Sequence, residues 1–139
     1  MPYFAREDEV YQYIGGLFEA LRDDPDLWPQ LAAADTVVQY RYRSPESQIT
    51  VEMRPDRAGL IDYGPTALDP QVVMTMDADV AHRFWLGQVN VTVALARGQI
   101  RARGPVAKLL RLVPLVRPAF PRYRRLLEDE GRIDLTRAA

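Results

Sequence analysis

Residues 72–113 carry the strongest constraint on how this chain folds. Val72–Met76 (VVMTM) is an apolar run of strand length, and Asp77 follows it as a helix N-cap with Asp79 in the first turn. Gly87, Gly98 and Gly104 then punctuate the chain, and almost everything between them is apolar or basic. Glycine just past a helix end lets the backbone turn back through a left-handed residue. Between Asp77 and Gly87, Val80, Ala81, Phe84 and Trp85 form the apolar face of a helix. Gly104-Pro105 opens another, with proline at its first position and Val106, Leu109, Leu110 and Val113 along one stripe. Strand and helix signals share this run, and the strands of the chain, polar on one face, assign it to the α+β class.

The upstream half fits that class. Val10, Ile14, Leu17, Phe18 and Leu21 recur at helical spacing and predict a helix over 7–22. Gly15-Gly16 costs such a helix about 1 kcal/mol per glycine relative to alanine, which implies close approach of another element. Asp24-Pro25 stops the helix, and a short helical turn is expected around 27–33. TVVQYRYR (36–43) alternates, with Val38, Tyr40 and Tyr42 on one face. QITVEMR (48–54) alternates too, with Ile49, Val51 and Met53 inward. Ser44-Pro45-Glu46-Ser47 between them supplies turn chemistry, so the pair reads as an antiparallel hairpin. Another turn, Pro55–Gly59, leads to a short strand at 60–63. A polar and an apolar face on each strand predict a sheet covered on one side. Residues 88–96 are ambiguous, because Val89, Val91, Val93 and Leu95 alternate as in a strand. Pro114, Pro118 and Pro121 break the following chain into short pieces, and a last helix is expected from about Arg122 to Glu130, ending at Gly131.

Length predicts one domain over 1–139. The absence of cysteine excludes disulfides and thiolate chemistry and fits a cytoplasmic location. No apolar run is long enough to span a bilayer, and MPYFAREDEV lacks a signal peptide's apolar region. The net charge of −1 hides an asymmetry. Residues 1–40 are strongly acidic, whereas residues 97–127 carry Arg97, Arg101, Arg103, Lys108, Arg111, Arg117, Arg122, Arg124 and Arg125 and no acid. That segment either neutralises the acidic end or meets an anionic partner. No recognition helix or aromatic-interleaved RNA-binding strand accompanies it, which argues against nucleic acid. Val113, Leu115, Val116 and Phe120 beside arginines suit an anionic membrane surface instead.

The run Val72–Met76, Asp77–Leu86, Gly87, Asn90–Ala96, Gly98, Gln99–Arg103, Gly104 resembles the sterol-carrier-protein-2-like family of lipid-binding domains. The resemblance covers about forty residues well and the preceding helix and hairpin more loosely. It implies a curved, mainly antiparallel sheet of about five strands, with helices on one face enclosing an apolar tunnel. It also implies that 90–96 is a short helix capped by Asn90, and that the domain binds or transfers a hydrophobic molecule such as a sterol or fatty acyl chain, without catalysis. Residues 114–139 extend beyond the minimal family domain.

The residues themselves offer little chemistry. His82 is the only histidine, which excludes a multi-histidine metal site, and a solvent-facing or partly buried structural place is expected for it. No zinc-protease, nucleophile-elbow or phosphate-loop pattern is present, and close carboxylates such as Asp77 with Asp79 suit helix ends. No catalytic residue, cofactor or metal is assigned. Tyr40 and Tyr42 share a strand face and suit either a core edge or the orientation of a ligand's polar head. Met53, Met74 and Met76 suit a core and a cavity equally. The residues expected to line a ligand site are Met74, Met76, Phe84, Trp85, Val93, Leu95, Ile100, Leu109, Leu110 and Val113, with Tyr40 and Tyr42. A cofactor-free isomerase or cyclase using the same cavity, a scaffold docking on a larger enzyme, and a homodimer stay open as alternatives.

Overall fold

A computed structural model describes residues 2–137. Five strands form one sheet: β1 (Thr36–Arg43), β2 (Ser47–Met53), β3 (Ile61–Tyr63), β4 (Val72–Asp77) and β5 (Ile100–Arg103), in the order β3-β2-β1-β4-β5. β1 and β4 are parallel and the other three pairings antiparallel, so the sheet is mainly antiparallel, as the sequence led us to expect. The helices are α1 (Glu7–Arg22), α2 (Trp28–Ala32), α3 (Ala78–Trp85), α4 (Val91–Ala96), α5 (Val106–Leu110) and α6 (Ala119–Asp129). The alternation in the strands decides which face they cover. Val38, Tyr42, Ile49, Val51, Met53, Met74, Met76 and Ile100 turn inward and are buried, while Arg41, Arg101 and Arg103 on the opposite face are exposed. On that outer face Gln39 Nε2 donates to Thr50 Oγ1 at 3.1 Å, and its Oε1 accepts from Arg41 Nε at 2.7 Å. The long arginine thus covers polar groups that would otherwise lie bare.

Two glycines hold the layers together. A Cβ at Gly15 would stand 2.5 Å from the Tyr63 ring, so the glycine lets β3 tuck against α1, and Tyr63 Oη donates to Glu19 at 2.9 Å one turn further on. At Gly104, with φ +96°, a Cβ would collide with the Gln71 carbonyl at the start of β4. Gly16, by contrast, only meets Leu126 of α6 at ordinary contact distance.

The 90–96 segment follows the family resemblance rather than its strand periodicity, and several other elements differ in detail from expectation. The 90–96 segment is helical: Asn90 Oδ1 accepts from Val93 N at 3.1 Å, and Gly98 follows at φ +73°. Strand periodicity at 88–96 misleads because capping decides the backbone here. Asp77 sits at the N-cap of α3 but makes no capping hydrogen bond and faces Arg43 at 3.4 Å instead. Helix α6 begins at Ala119, three residues before the expected start. Pro121 falls within its first turn, where a missing N–H leaves nothing unsatisfied. A 3-10 turn at Ile133–Arg137, not foreseen in the sequence, closes the described chain. It is tied down by Arg124, which donates to the carbonyls of Thr136 at 3.1 Å and Leu86 at 3.3 Å. Arg132 beside it bridges Glu9 and Asp134 and reaches the Tyr13 hydroxyl at 3.3 Å. No helix among the described residues is long and apolar enough to cross a membrane.

Candidate ligand cavity

Between the inner face of the sheet and helices α1–α5 lies a cavity of about 100 Å³. Its floor is Tyr40 and Tyr42 of β1, Met74 and Met76 of β4, Val51 and Met53 of β2, and Ile100 of β5. Ala81, Phe84 and Trp85 of α3, Val91 and Leu95 of α4, and Phe18 and Leu21 of α1 line its walls. Val106, Leu109 and Leu110 of α5, then Leu112, Val113 and Val116, close the remaining side. No lining residue is charged.

An aromatic arc gives the cavity its shape. Phe84 meets Trp85 edge-on at 4.8 Å, Trp85 meets Phe18 at 5.7 Å, and Phe18 stacks on Tyr40 at 5.2 Å. Tyr40 in turn lies parallel to Tyr42, 6.3 Å away. Neither tyrosine hydroxyl has a hydrogen-bond partner among the described residues. Among the described residues, Thr36 Oγ1 is the one fully enclosed side-chain polar atom without a partner. The two phenol oxygens are therefore not fully enclosed, and both residues line the cavity. Burial pushes the Tyr40 hydroxyl up to about 12 and that of Tyr42 well above its ordinary value, so both stay protonated at neutral pH.

Eleven of the twelve residues expected at a ligand site lie on this cavity, and Val93 does not. It is 41% exposed on the far side of α4, in a shallow surface depression with Arg83, Gln88 and Arg97. The reason is periodicity. Val93 and Leu95 share a face only in a strand, whereas in a helix the inward pair is Val91 and Leu95, four apart. Phe18, Leu21, Trp28 and Leu31 were not expected at the cavity. The first two stand on the apolar stripe of α1 and could have been assigned from it, but nothing local marks the two residues of α2.

His82 lies elsewhere and is more deeply buried than expected, with no solvent exposure. Its Nδ1 is 2.7 Å from Tyr123 Oη and its Nε2 is 2.8 Å from the Leu135 carbonyl. Nε2–H donates to the carbonyl and Nδ1 accepts from the phenol, so one neutral tautomer satisfies both bonds. Tyr3 and Phe4 pack on the ring at 4.9 and 5.2 Å. Burial lowers its pKa from the usual histidine range. The sequence around His82 could not reveal this, because the covering groups come from both chain termini. No cluster of potential metal ligands occurs among the described residues.

The basic segment is only partly neutralised. Arg122 pairs with Asp24, and Arg124 is taken up by carbonyls. Arg97, Arg101, Arg103, Arg111, Arg117 and Arg125 are exposed. Leu110, 39% exposed, is the lining residue most open to solvent, and Lys108 and Arg111 flank it.

No known family model matches the chain, and no curated protein resembles it closely enough to count. Solved structures do. A sterol carrier protein domain of Helicoverpa armigera aligns with TM-score 0.66 at 18% identity, covering 87% of this chain and 95% of that one. Sterol carrier protein 2 from Yarrowia lipolytica, in its apo form, aligns with TM-score 0.63 at 15% identity, over 76% of this chain and 88% of its own. Sterol carrier protein 2 of Aedes aegypti, solved in complex with palmitate, aligns with TM-score 0.53 at 18% identity, covering 80% and 94%. At these identities the likeness speaks to architecture, and it agrees with the glycine-punctuated run in the sequence. This chain has the sterol-carrier-protein-2-like fold.

Proposed function

We propose that this domain binds a hydrophobic, lipid-like small molecule in the cavity and carries it without chemical change. The observation that bears the reading is a lining of some twenty apolar and aromatic side chains, drawn from nearly every element, with no charge among them. Leaving that space empty is expensive. At roughly 24 cal/mol per Å³, a fully enclosed void of this size would destabilise the fold by about 2 kcal/mol, an upper bound for a space that opens at Leu110. A core selected only for stability would have filled it. The palmitate complex of the structurally similar Aedes aegypti protein supports the reading by analogy. The cavity's only titratable groups are two phenols held protonated, which supports binding over acid–base work.

The space is smaller than the ~150 Å³ of an engineered cavity that holds benzene. A full acyl chain or sterol therefore enters only if part of the lining moves aside. Residues 106–116 are the segment best placed to move. They supply six lining side chains, their backbone hydrogen bonds are local, and Lys108 Nζ reaches the Asp35 carbonyl only at 3.5 Å. Exposed Leu110, flanked by Lys108 and Arg111, suits loading and unloading at an anionic bilayer surface.

Native mass spectrometry of the protein purified from its own host, followed by extraction of any adduct, tests this reading. A stoichiometric lipid-like adduct is expected, and its loss in Leu110→Glu would locate the entrance. Protein that is empty and also fails to take up fluorescent lipid analogues would overturn the proposal.

A further inference from the structure

We infer that the cargo carries an uncharged polar end, a hydroxyl or a carbonyl, which Tyr40 and Tyr42 hold inside the cavity. The inference rests on the reading that the cavity takes a hydrophobic cargo, and it adds which class. Tyr42 is 2% exposed and yet makes no hydrogen bond among the described residues, and Tyr40 is its parallel neighbour on the same strand face. Both phenol oxygens are open to a water molecule, so a cargo that displaces that water must replace its hydrogen bond or leave the phenol unpaired. The two phenols are the hydroxyls that this otherwise apolar lining offers to a cargo's polar end.

The chemistry of these phenols excludes charge. Each phenol is protonated and offers one donor and its acceptor lone pairs, which matches an alcohol or a ketone. A carboxylate or phosphate would need a cation to replace its water, and no lysine, arginine or histidine lines the cavity. The cations nearest in sequence to the lining, Lys108 and Arg111, flank exposed Leu110 at the rim. An ionised fatty acid would therefore keep its head in water at the rim beside Lys108 and Arg111 rather than against the tyrosines.

The test is displacement of the neutral apolar probe N-phenyl-1-naphthylamine at pH 7 by 1-decanol, 2-decanone and decanoate, on the wild-type chain and on the double variant Tyr40→Phe with Tyr42→Phe. Wild type is expected to take the alcohol and the ketone about tenfold more tightly than decanoate, the size of one or two well-made hydrogen bonds. The double variant is expected to lose that preference, each competitor's affinity being referred to the variant's own affinity for the probe. Its fold is not at risk, since the deleted hydroxyls bond to nothing in the protein, and its melting temperature should hold or rise. Equal affinity for decanoate and decanol in wild type, or a preference that survives in the double variant, would overturn the inference and leave the cargo reading intact. Failure of the probe and all three chains to bind would overturn the cargo reading itself.

Discussion

Helix α3 divides two regions built from the same kinds of residue. On one side His82, Tyr123, Tyr3 and Phe4 pack together with the polar atoms of His82 and Tyr123 bonded to each other and to the Leu135 carbonyl. On the other, Phe84, Trp85, Tyr40 and Tyr42 form an arc that leaves space and two phenols without partners. Composition does not separate them, since both are rich in aromatics and both are buried. What separates them is completion. The first region satisfies its own polar groups, and the second keeps open space beside two unpaired phenols. The comparison also explains why a single helix can serve both. Ala81 and Trp85 project into the cavity, while His82, rotated by one position, faces the terminal segments.

Matched truncations test that contrast most severely. Leu127 of α6 is fully buried on the packed side, and Leu109 of α5 lines the cavity. Leu127→Ala should cost about 4–5 kcal/mol, because rigid neighbours leave a new void. Leu109→Ala should cost about 2–3 kcal/mol, because its neighbours already border empty space and can collapse inward. Urea unfolding of the two variants reads the difference, and equal losses would mean that the cavity wall is as tightly packed as the core.

The next effect is that of the histidine itself. His82→Leu keeps the volume but strands the Tyr123 hydroxyl and the Leu135 carbonyl, at a cost of about 2 kcal/mol. The same substitution reveals its electrostatics. Burial depresses the folded-state pKa of His82, so the unfolded chain binds this proton more readily. The neutral ring's contribution is fully present above about pH 6.5, the unfolded value, and is lost as pH falls through the depressed folded value. Stability should therefore decline on acidification from about pH 6.5, before the carboxylates titrate, and the decline in that window should be missing from His82→Leu. Glu9 and Asp134, held low by Arg132, add their own loss in the carboxylate range further down. An unaltered slope between pH 6.5 and 5 in His82→Leu would place the sensitive group elsewhere.

The sequence showed the two regions unequally. The strands, the α1 stripe and the glycine stops were legible because each is set by local periodicity or by a backbone position only glycine fills well, as at Gly104. Most of the cavity wall followed from the same inward positions. Val93 did not, because two periodicities compete over 88–96 and only the Asn90 cap resolves them. The setting of His82 was illegible for another reason. Its partners stand 41 and 53 residues away, and no local pattern encodes a contact between the chain's two ends and the back of α3. Nor could any pattern distinguish a filled core from a cavity, since methionine and aromatic residues serve both.

The smallest effect is also the one that most sharply defines the cavity, because its sign changes between the two settings. Val51 of β2 lines the empty space, while Val72 of β4 is fully buried away from it. Both are inward-facing, β-branched strand residues, so replacement by isoleucine adds one methylene without disturbing strand propensity. At Val72 the extra group meets close-packed neighbours, and Val72→Ile should destabilise by about 1–2 kcal/mol. At Val51 it enters vacant volume, and Val51→Ile should stabilise by about 0.8 kcal/mol, the transfer value of one buried methylene. The same methylene occupies space that a cargo needs, so Val51→Ile should bind the apolar probe more weakly while Val72→Ile binds it unchanged. Thermal unfolding with and without the probe measures both effects in one series. Destabilisation at both positions would show the cavity to be closed in solution. Opposite signs with reduced probe uptake at Val51 alone would establish it as space held open for a guest.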